Sequence, residues 1–146
     1  MTIRTVTNDA GVTAALAAHV SGDTIEFSGS SFAQIAISGK SDLILTSEDA
    51  SGKIPSIVFT GTCDNIDCSG LNIQMTGWPC TYPALVNFET GTFSNFQFRA
   101  GTTFRHGYGA SLVNFDMTSE VFSDLSTYLN IDQADYSPWG YSEDQI

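Results

Sequence analysis

Apolar and polar residues alternate along most of this chain in short runs that recur about once every two dozen residues. One set of runs reads Thr24-Ile25-Glu26-Phe27, Leu43-Ile44-Leu45, Leu71-Asn72-Ile73-Gln74-Met75 and Asn95-Phe96-Gln97-Phe98. A second set reads Ile35-Ala36-Ile37, Ile57-Val58-Phe59, Ala84-Leu85-Val86-Asn87-Phe88 and Ser111-Leu112-Val113-Asn114-Phe115. Starts in the first set (Ile25, Leu43, Leu71, Phe96) lie 18, 28 and 25 residues apart, and those in the second (Ile35, Ile57, Val86, Val113) lie 22, 29 and 27 apart. Period-two alternation marks a strand with one buried face. Two interleaved sets with a similar period predict an all-β solenoid, each turn adding one strand to each of two walls. Four to five coils are expected over residues 23–117.

Turns are expected at Ser28-Gly29-Ser30, Ser38-Gly39-Lys40, Ser51-Gly52, Thr60-Gly61, Ser69-Gly70 and Thr90-Gly91, where a sharp corner favours glycine. The segment Ala84–Glu89 repeats as Ser111–Asp116 at an offset of 27, and Phe93-Ser94-Asn95-Phe96 is echoed by Phe122-Ser123-Asp124-Leu125 at an offset of 29. Both echoes predict a further coil from about Ser111. Before the first strand, residues 9–20 read as a helix. Asn8 or Asp9 is the N-cap, Val12, Ala15, Leu16, His19 and Val20 share one face, and Gly22 supplies the left-handed end. Laid over the open end of a strand stack, such a helix would cover unpaired edges and apolar side chains. From about residue 118 to 146 the alternation fades into an irregular C-terminal cap or docking arm. The whole chain reads as a single domain.

Composition adds to this. The chain has 146 residues, 14% charged, with thirteen Gly and ten Phe, which suits stacked strands with polar turns. The net charge is −11. The five bases are Arg4, Lys40, Lys53, Arg99 and Arg105, and none follows His106. Nucleic acid is therefore not an expected partner, since phosphate recognition needs a basic patch. A membrane is not expected either, because no apolar run is long enough to cross one. The first twenty residues do not read as an export signal, so synthesis and assembly in the cytoplasm are expected. Cys63, Cys68 and Cys80 are odd in number, which argues against a disulfide framework, and a zinc site would lack a fourth ligand. They are expected as small buried side chains, with no metal and no cofactor.

The residues Val12–His19 followed by Ser21-Gly22-Asp23-Thr24-Ile25-Glu26-Phe27 resemble the opening of right-handed parallel β-helix proteins of the pectate-lyase type. Gly39–Leu45 and Cys63–Ile73 resemble their recurring turn-into-strand phrase. The resemblance covers roughly residues 10–115 and implies a short right-handed parallel β-helix. The family includes polysaccharide lyases and hydrolases as well as spikes and surface proteins of bacteriophages and phage-like particles. Members with enzyme activity usually have many more coils than this chain.

Two function classes are carried forward. The first is a non-enzymatic virion component, a capsid decoration protein or short head or tail spike, forming a homotrimer, contacting capsid or tail proteins and located on the virion. The second is a polysaccharide-active enzyme of the uronate-lyase type, or a fragment of one. Such chemistry would need a base, for which Arg99, Arg105 and His106 are candidates, and acidic ligands such as Asp64, Asp67 and Glu89 for a bridging cation. No catalytic residue is assigned. The loops at Gly77–Pro83 and Ala100–Gly109 are the expected places for binding. Trp78, Tyr82, Arg99, Arg105, His106 and Tyr108 are therefore the candidate carbohydrate-binding residues, surface glycans being the corresponding partner. Tyr128, Tyr136, Trp139 and Tyr141, set among acids, are candidates for a subunit or capsid interface.

Overall fold

The structure is a computed structural model that describes residues 1–68, 70–75, 81–82 and 84–98, and the backbone of strands at 103–106, 111–115, 120–122, 129–130 and 135–136. Among the described residues the protein is all-β apart from one helix. Its elements are β1 (Ile3–Val6), α1 (Asp9–Ala17), β2 (Thr24–Phe27), β3 (Ile35–Ser38), β4 (Ser41–Ser47), β5 (Ile57–Asp67), β6 (Asn72–Met75), β7 (Ala84–Gln97), β8 (Thr103–His106), β9 (Ser111–Phe115), β10 (Glu120–Phe122), β11 (Leu129–Asn130) and β12 (Asp135–Tyr136). They form a nine-stranded and a three-stranded sheet, and all the pairings described are parallel.

The register runs in ladders. Ile35, Ile57, Val86 and Val113 are successive partners, as the second set of sequence runs predicts. In the same strands Ile37, Phe59, Phe88 and Phe115 form a parallel row. A second ladder passes through Ile3, Thr24, Ile44, Asp67, Gln97 and Asn130. Both sequence echoes are also pairings: Val86 meets Val113, and Phe93 meets Phe122.

The first set of runs does not stay together. Leu43 is followed in its ladder by Ile66 and then Phe96. The run Leu71–Met75 leaves that ladder, because Gly70 has a φ of 83° and Leu71 N–H donates to Cys68 O at 3.0 Å, bending the chain. The strand that follows, β6, belongs to the three-stranded sheet, where Ile73 pairs with Phe104 and Phe104 with Tyr136. Ile73 therefore lies in a different sheet from Ile25 and Phe96.

Other boundaries differ too. Strand β1 was not expected; its four residues pair with β2 ahead of the helix. Helix α1 ends at Ala17 instead of reaching residue 20, and Val20 is 64% exposed. The chain is drawn off the helix there: Arg4 Nη2 donates to Ala18 O at 3.1 Å and Val20 N–H donates to Asp23 Oδ2 at 3.1 Å. The cap is Ala18, and Gly22, at φ 85°, serves the later turn into β2. Asn8 caps the start by accepting from Gly11 N–H at 2.9 Å. Thr60-Gly61 and Thr90-Gly91, expected as turns, are corners that lie inside strands β5 and β7. Part of residues 118–146, expected to be irregular, forms β10, β11 and β12 and extends both sheets.

The inward face is apolar. Ile25, Phe27, Leu43, Leu45, Ile66, Phe96 and Phe98 are fully buried. Phe59 stacks on Phe88 with centroids 5.4 Å apart, and Phe96 meets both edge-on at 4.8 and 5.0 Å. Edge-to-face and offset pairs of this kind add about 0.5–1.5 kcal/mol each beyond the apolar area they bury. Cys63 and Cys68 are buried in the same interior, as small core side chains. The buried amide of Asn87 is satisfied by Ser56 Oγ and Ala84 O, both at 3.1 Å. Val12 and Ala15 bury one face of α1 in this core. Asp9 accepts Ala33 N–H at 3.0 Å and Lys40 Nζ reaches Leu16 O at 2.8 Å, tying the helix to the segments on either side of β3.

Candidate functional site

Two surface features concentrate polar side chains. The first follows the corner that leads into the outer strands. Asp42, Asn65 and Asn95 occupy equivalent register positions with φ of 52°, 55° and 55°. Asp and Asn tolerate this left-handed conformation better than other non-glycine residues. Their side chains then bond along the ladder. Asn65 Nδ2 donates to Asp42 Oδ1 at 2.7 Å, Ser21 Oγ donates to Asp42 Oδ2 at 2.8 Å, and Asn95 Nδ2 and Ser94 Oγ both donate to Asp64 Oδ1. The hydrogen bonds from Asn65 and Ser21 hold the Asp42 carboxyl below the usual carboxylate range. These acids are occupied in holding successive strands together. Asp64, a candidate cation ligand from the sequence, is one of them; Asp67 sits between Ile44 and Gln97 in its ladder, and Glu89 is exposed on β7. Among the described residues, no group of three or more His, Cys, Asp or Glu side chains could hold a metal ion.

The second feature is an open groove of about 540 Å³ lined by Ser30, Phe32, Lys53, Pro55, Gln74, Met75 and Thr81. Its residues come from the β2–β3 connection, the β4–β5 connection, β6 and the segment after it. Ile54 pairs with Ile73, which brings the Lys53–Pro55 segment beside β6. Phe32 rests edge-on against the buried Phe27 at 5.3 Å, so the groove adjoins the core at that point. Gln74 donates through Nε2 to Asn72 Oδ1 at 2.7 Å, which fixes its amide at the rim. Lys53 is half-buried, and among the described residues it forms no ion pair; the only one is Arg4 with Asp23 at 3.3 Å.

Three of the six candidate carbohydrate-binding residues fall beside this groove. Tyr82 follows Thr81, packs half-buried against the core, accepts Gln34 N–H through its hydroxyl at 3.1 Å and donates its own N–H to Met75 Sδ at 3.3 Å. Arg105 and His106 occupy the register positions next to Gln74 and Met75. Trp78, Arg99 and Tyr108 lie outside the described residues, as do Tyr128, Trp139 and Tyr141 of the candidate interface set. Tyr136 is on β12, in register with Phe104. Phe32, Lys53, Pro55, Gln74 and Met75 were not singled out from the sequence. Only the scarcity of bases marked Lys53, and nothing in the sequence shows that connections two dozen residues apart share one surface.

No protein-family model, curated protein or solved structure matches the chain.

Proposed function

We propose that this chain is a short right-handed parallel β-helix that serves as a non-enzymatic structural component of a bacteriophage or phage-like particle. It would act as a capsid decoration protein or short spike, assembled as a trimer on capsid or tail proteins. The observation that carries this reading is the use of polar side chains along the ladders. Asp42, Asp64, Asn65, Ser94 and Asn95 are spent on one another, strand to strand, above an interior of stacked phenylalanines. That arrangement favours a stiff, polar-coated element over a mobile one. An acidic surface with a net charge of −11 keeps such an element soluble until it meets its particle.

A second reading has its own support. Lys53 lines the groove, and Arg105 and His106 hold the backbone register positions beside Gln74 and Met75, two of its other lining residues. A polysaccharide-active enzyme of the uronate-lyase type needs a base, and this is where the candidate bases of the sequence lie nearest the groove. Incubation with alginate and pectate separates the two. The structural reading expects no unsaturated product and a sedimenting species three times the monomer mass. A monomer that releases unsaturated sugars, and loses this activity in Arg105→Ala, establishes the enzyme instead.

A further inference from the structure

Apolar side chains left in water gather at one corner of the protein. Among the described residues the exposed large hydrophobics are Met1, Ile3 and Val20, at 94%, 62% and 64%. Such residues scattered singly need no explanation, whereas a cluster of them marks a contact surface. Asp23 brings these three together. Its carboxylate accepts Thr2 N–H at 2.9 Å on one oxygen and Val20 N–H at 3.1 Å on the other, which sets Val20 beside the start of β1. Ile3 pairs in register with Thr24, and Thr24 with Ile44. The neighbouring row of Arg4, Ile25 and Leu45 is the inward one, and Ile25 and Leu45 are fully buried. Ile3, Thr24 and the half-buried Ile44 therefore form a stripe on the outer face, with Met1 and Val20 at its end. Helix α1 does not cover this stripe. It lies on the inner side of β1, with Gly11 against the buried Val6.

Charge decides what can sit there. Residues 1–22 hold one base, Arg4, and one acid, Asp9, while residues 23–146 hold four bases and fifteen acids. The net charge of −11 thus lies wholly beyond residue 22. Within the patch, Arg4 and the buried Asp23 are paired with each other at 3.3 Å. The stripe turns acidic only at Asp67, the register partner of Ile44. A basic partner would be drawn to the acidic remainder of the surface in preference to this neutral corner. Two copies of the chain repel each other over that remainder and can meet here without repulsion. We infer that Met1, Ile3, Val20 and Ile44 form the apolar centre of the contact between copies of this chain, on the outer face of β1, β2 and β4. Association takes out of water the apolar side chains that a single chain leaves there. The inference names a surface for the self-association proposed above and rests on that part of the reading, not on the particle or on the number of copies.

Sedimentation velocity over a range of concentrations tests it with the double variant Ile3→Asp/Val20→Asp, which places like charges in the contact at two exposed positions. The unaltered chain should sediment as an oligomer and the variant as a monomer at the same concentration. The dissociation constant should rise about a hundredfold, the size expected when two central apolar contacts are lost. Thr13→Asp, at an exposed position of α1, should leave the oligomer intact. A double variant that stays oligomeric overturns the choice of surface while self-association stands; an unaltered chain that is monomeric at every concentration overturns both. A second measurement needs no substitution. A soluble paramagnetic probe should broaden the Ile3 and Val20 methyl signals of the assembled protein only weakly, although both side chains are mostly exposed in the single chain. Broadening as strong as that of a free amino acid in the assembled protein would equally overturn the inference.

Discussion

At the residue scale, the left-handed corner shows how one side chain does two jobs. Asn65 tolerates a φ of 55° and bonds Asp42 with its amide. Asn65→Gly keeps the first property and loses the second; Asn65→Ala loses both. Urea unfolding should place Asn65→Ala below Asn65→Gly by about 1 kcal/mol, the left-handed penalty of a residue with a Cβ. Equal stabilities would mean that the amide bond alone matters. Asp23 is the second informative residue. Its buried carboxylate is held below the usual range, first by Val20 N–H and then by Thr2 N–H and Arg4, against the opposing effect of desolvation. A carboxyl with a lowered folded-state pKa contributes stability that is fully present above its unfolded value of about 3.9 and is lost as pH falls through the folded value. Urea midpoints should therefore drop on acidification below about pH 4. Asp23→Asn should be less stable at pH 7 and show a shallower acid slope, and an unchanged slope would remove Asp23 from the account. The left-handed corners were hardly legible: Asp42 stands just before one recurring run and Asn95 at the start of another, Asn65 lies outside both sets, and the expected turns all centred on glycine. That they stack on one another depends on offsets of 23 and 30 residues between Asp42, Asn65 and Asn95, which no local pattern prescribes.

At the scale of elements, β5 and β7 carry the centre of the protein. Each turns a corner, at Gly61 and Gly91, where the pairing between them shifts register by one residue and then resumes. Gly61 has a φ of 69°, and a Cβ on Gly91 would run into the Gly61 carbonyl oxygen. Glycine is therefore needed at 61 for its backbone angle and at 91 for close approach of the next strand. Gly91→Ala should destabilise by about 2–3 kcal/mol, as overpacking does when backbone must move. Chemical denaturation checks this, and a loss below about 0.5 kcal/mol would show that the two strands can separate there without cost. The Thr-Gly pairs were visible as punctuation. A continuous strand and a loop both use such a pair, and only the pairing of Gly61 with Gly91 decides between them. The same applies to β6. Leu71–Met75 alternates like the other runs, but alternation states that a strand has two faces and not which sheet it joins.

At the scale of the whole molecule, the phenylalanine row makes the parallel ladders one cooperative core. Phe88 stacks on Phe59 and meets Phe93 and Phe96 edge-on. Phe88→Ala should cost about 3–5 kcal/mol, the range for removing a large buried aromatic side chain. Loss of a single sharp unfolding transition, with α1 and β1 melting separately, would show that the ladders are not coupled. The thiols report on the same core. Burial raises the Cys68 thiol well above its ordinary range, and Asp67 adds to the effect; burial also raises Cys63. Neither should react with an aromatic disulfide reagent at pH 8 until urea unfolds the chain, because the thiolate is the attacking species. Rapid labelling of either one in the folded protein would contradict a closed interior.

The sequence by itself determined that the chain is built of short strands, which residues point inwards, where the corners fall, and that Ile35, Ile57, Val86 and Val113 follow one another. All of these arise from local alternation, glycine chemistry at the turns, and a repeat offset that survives in the residues. Tertiary structure alone decided that Leu71–Met75 departs into a second sheet, that α1 stops at Ala17 where Arg4 and Asp23 claim its end, and that Ser30, Lys53 and Gln74 border one groove. Those outcomes depend on which distant backbone segments come to lie within hydrogen-bonding distance. Parallel pairing sets that across offsets of twenty to thirty residues that vary from one step to the next, so no window of sequence contains them.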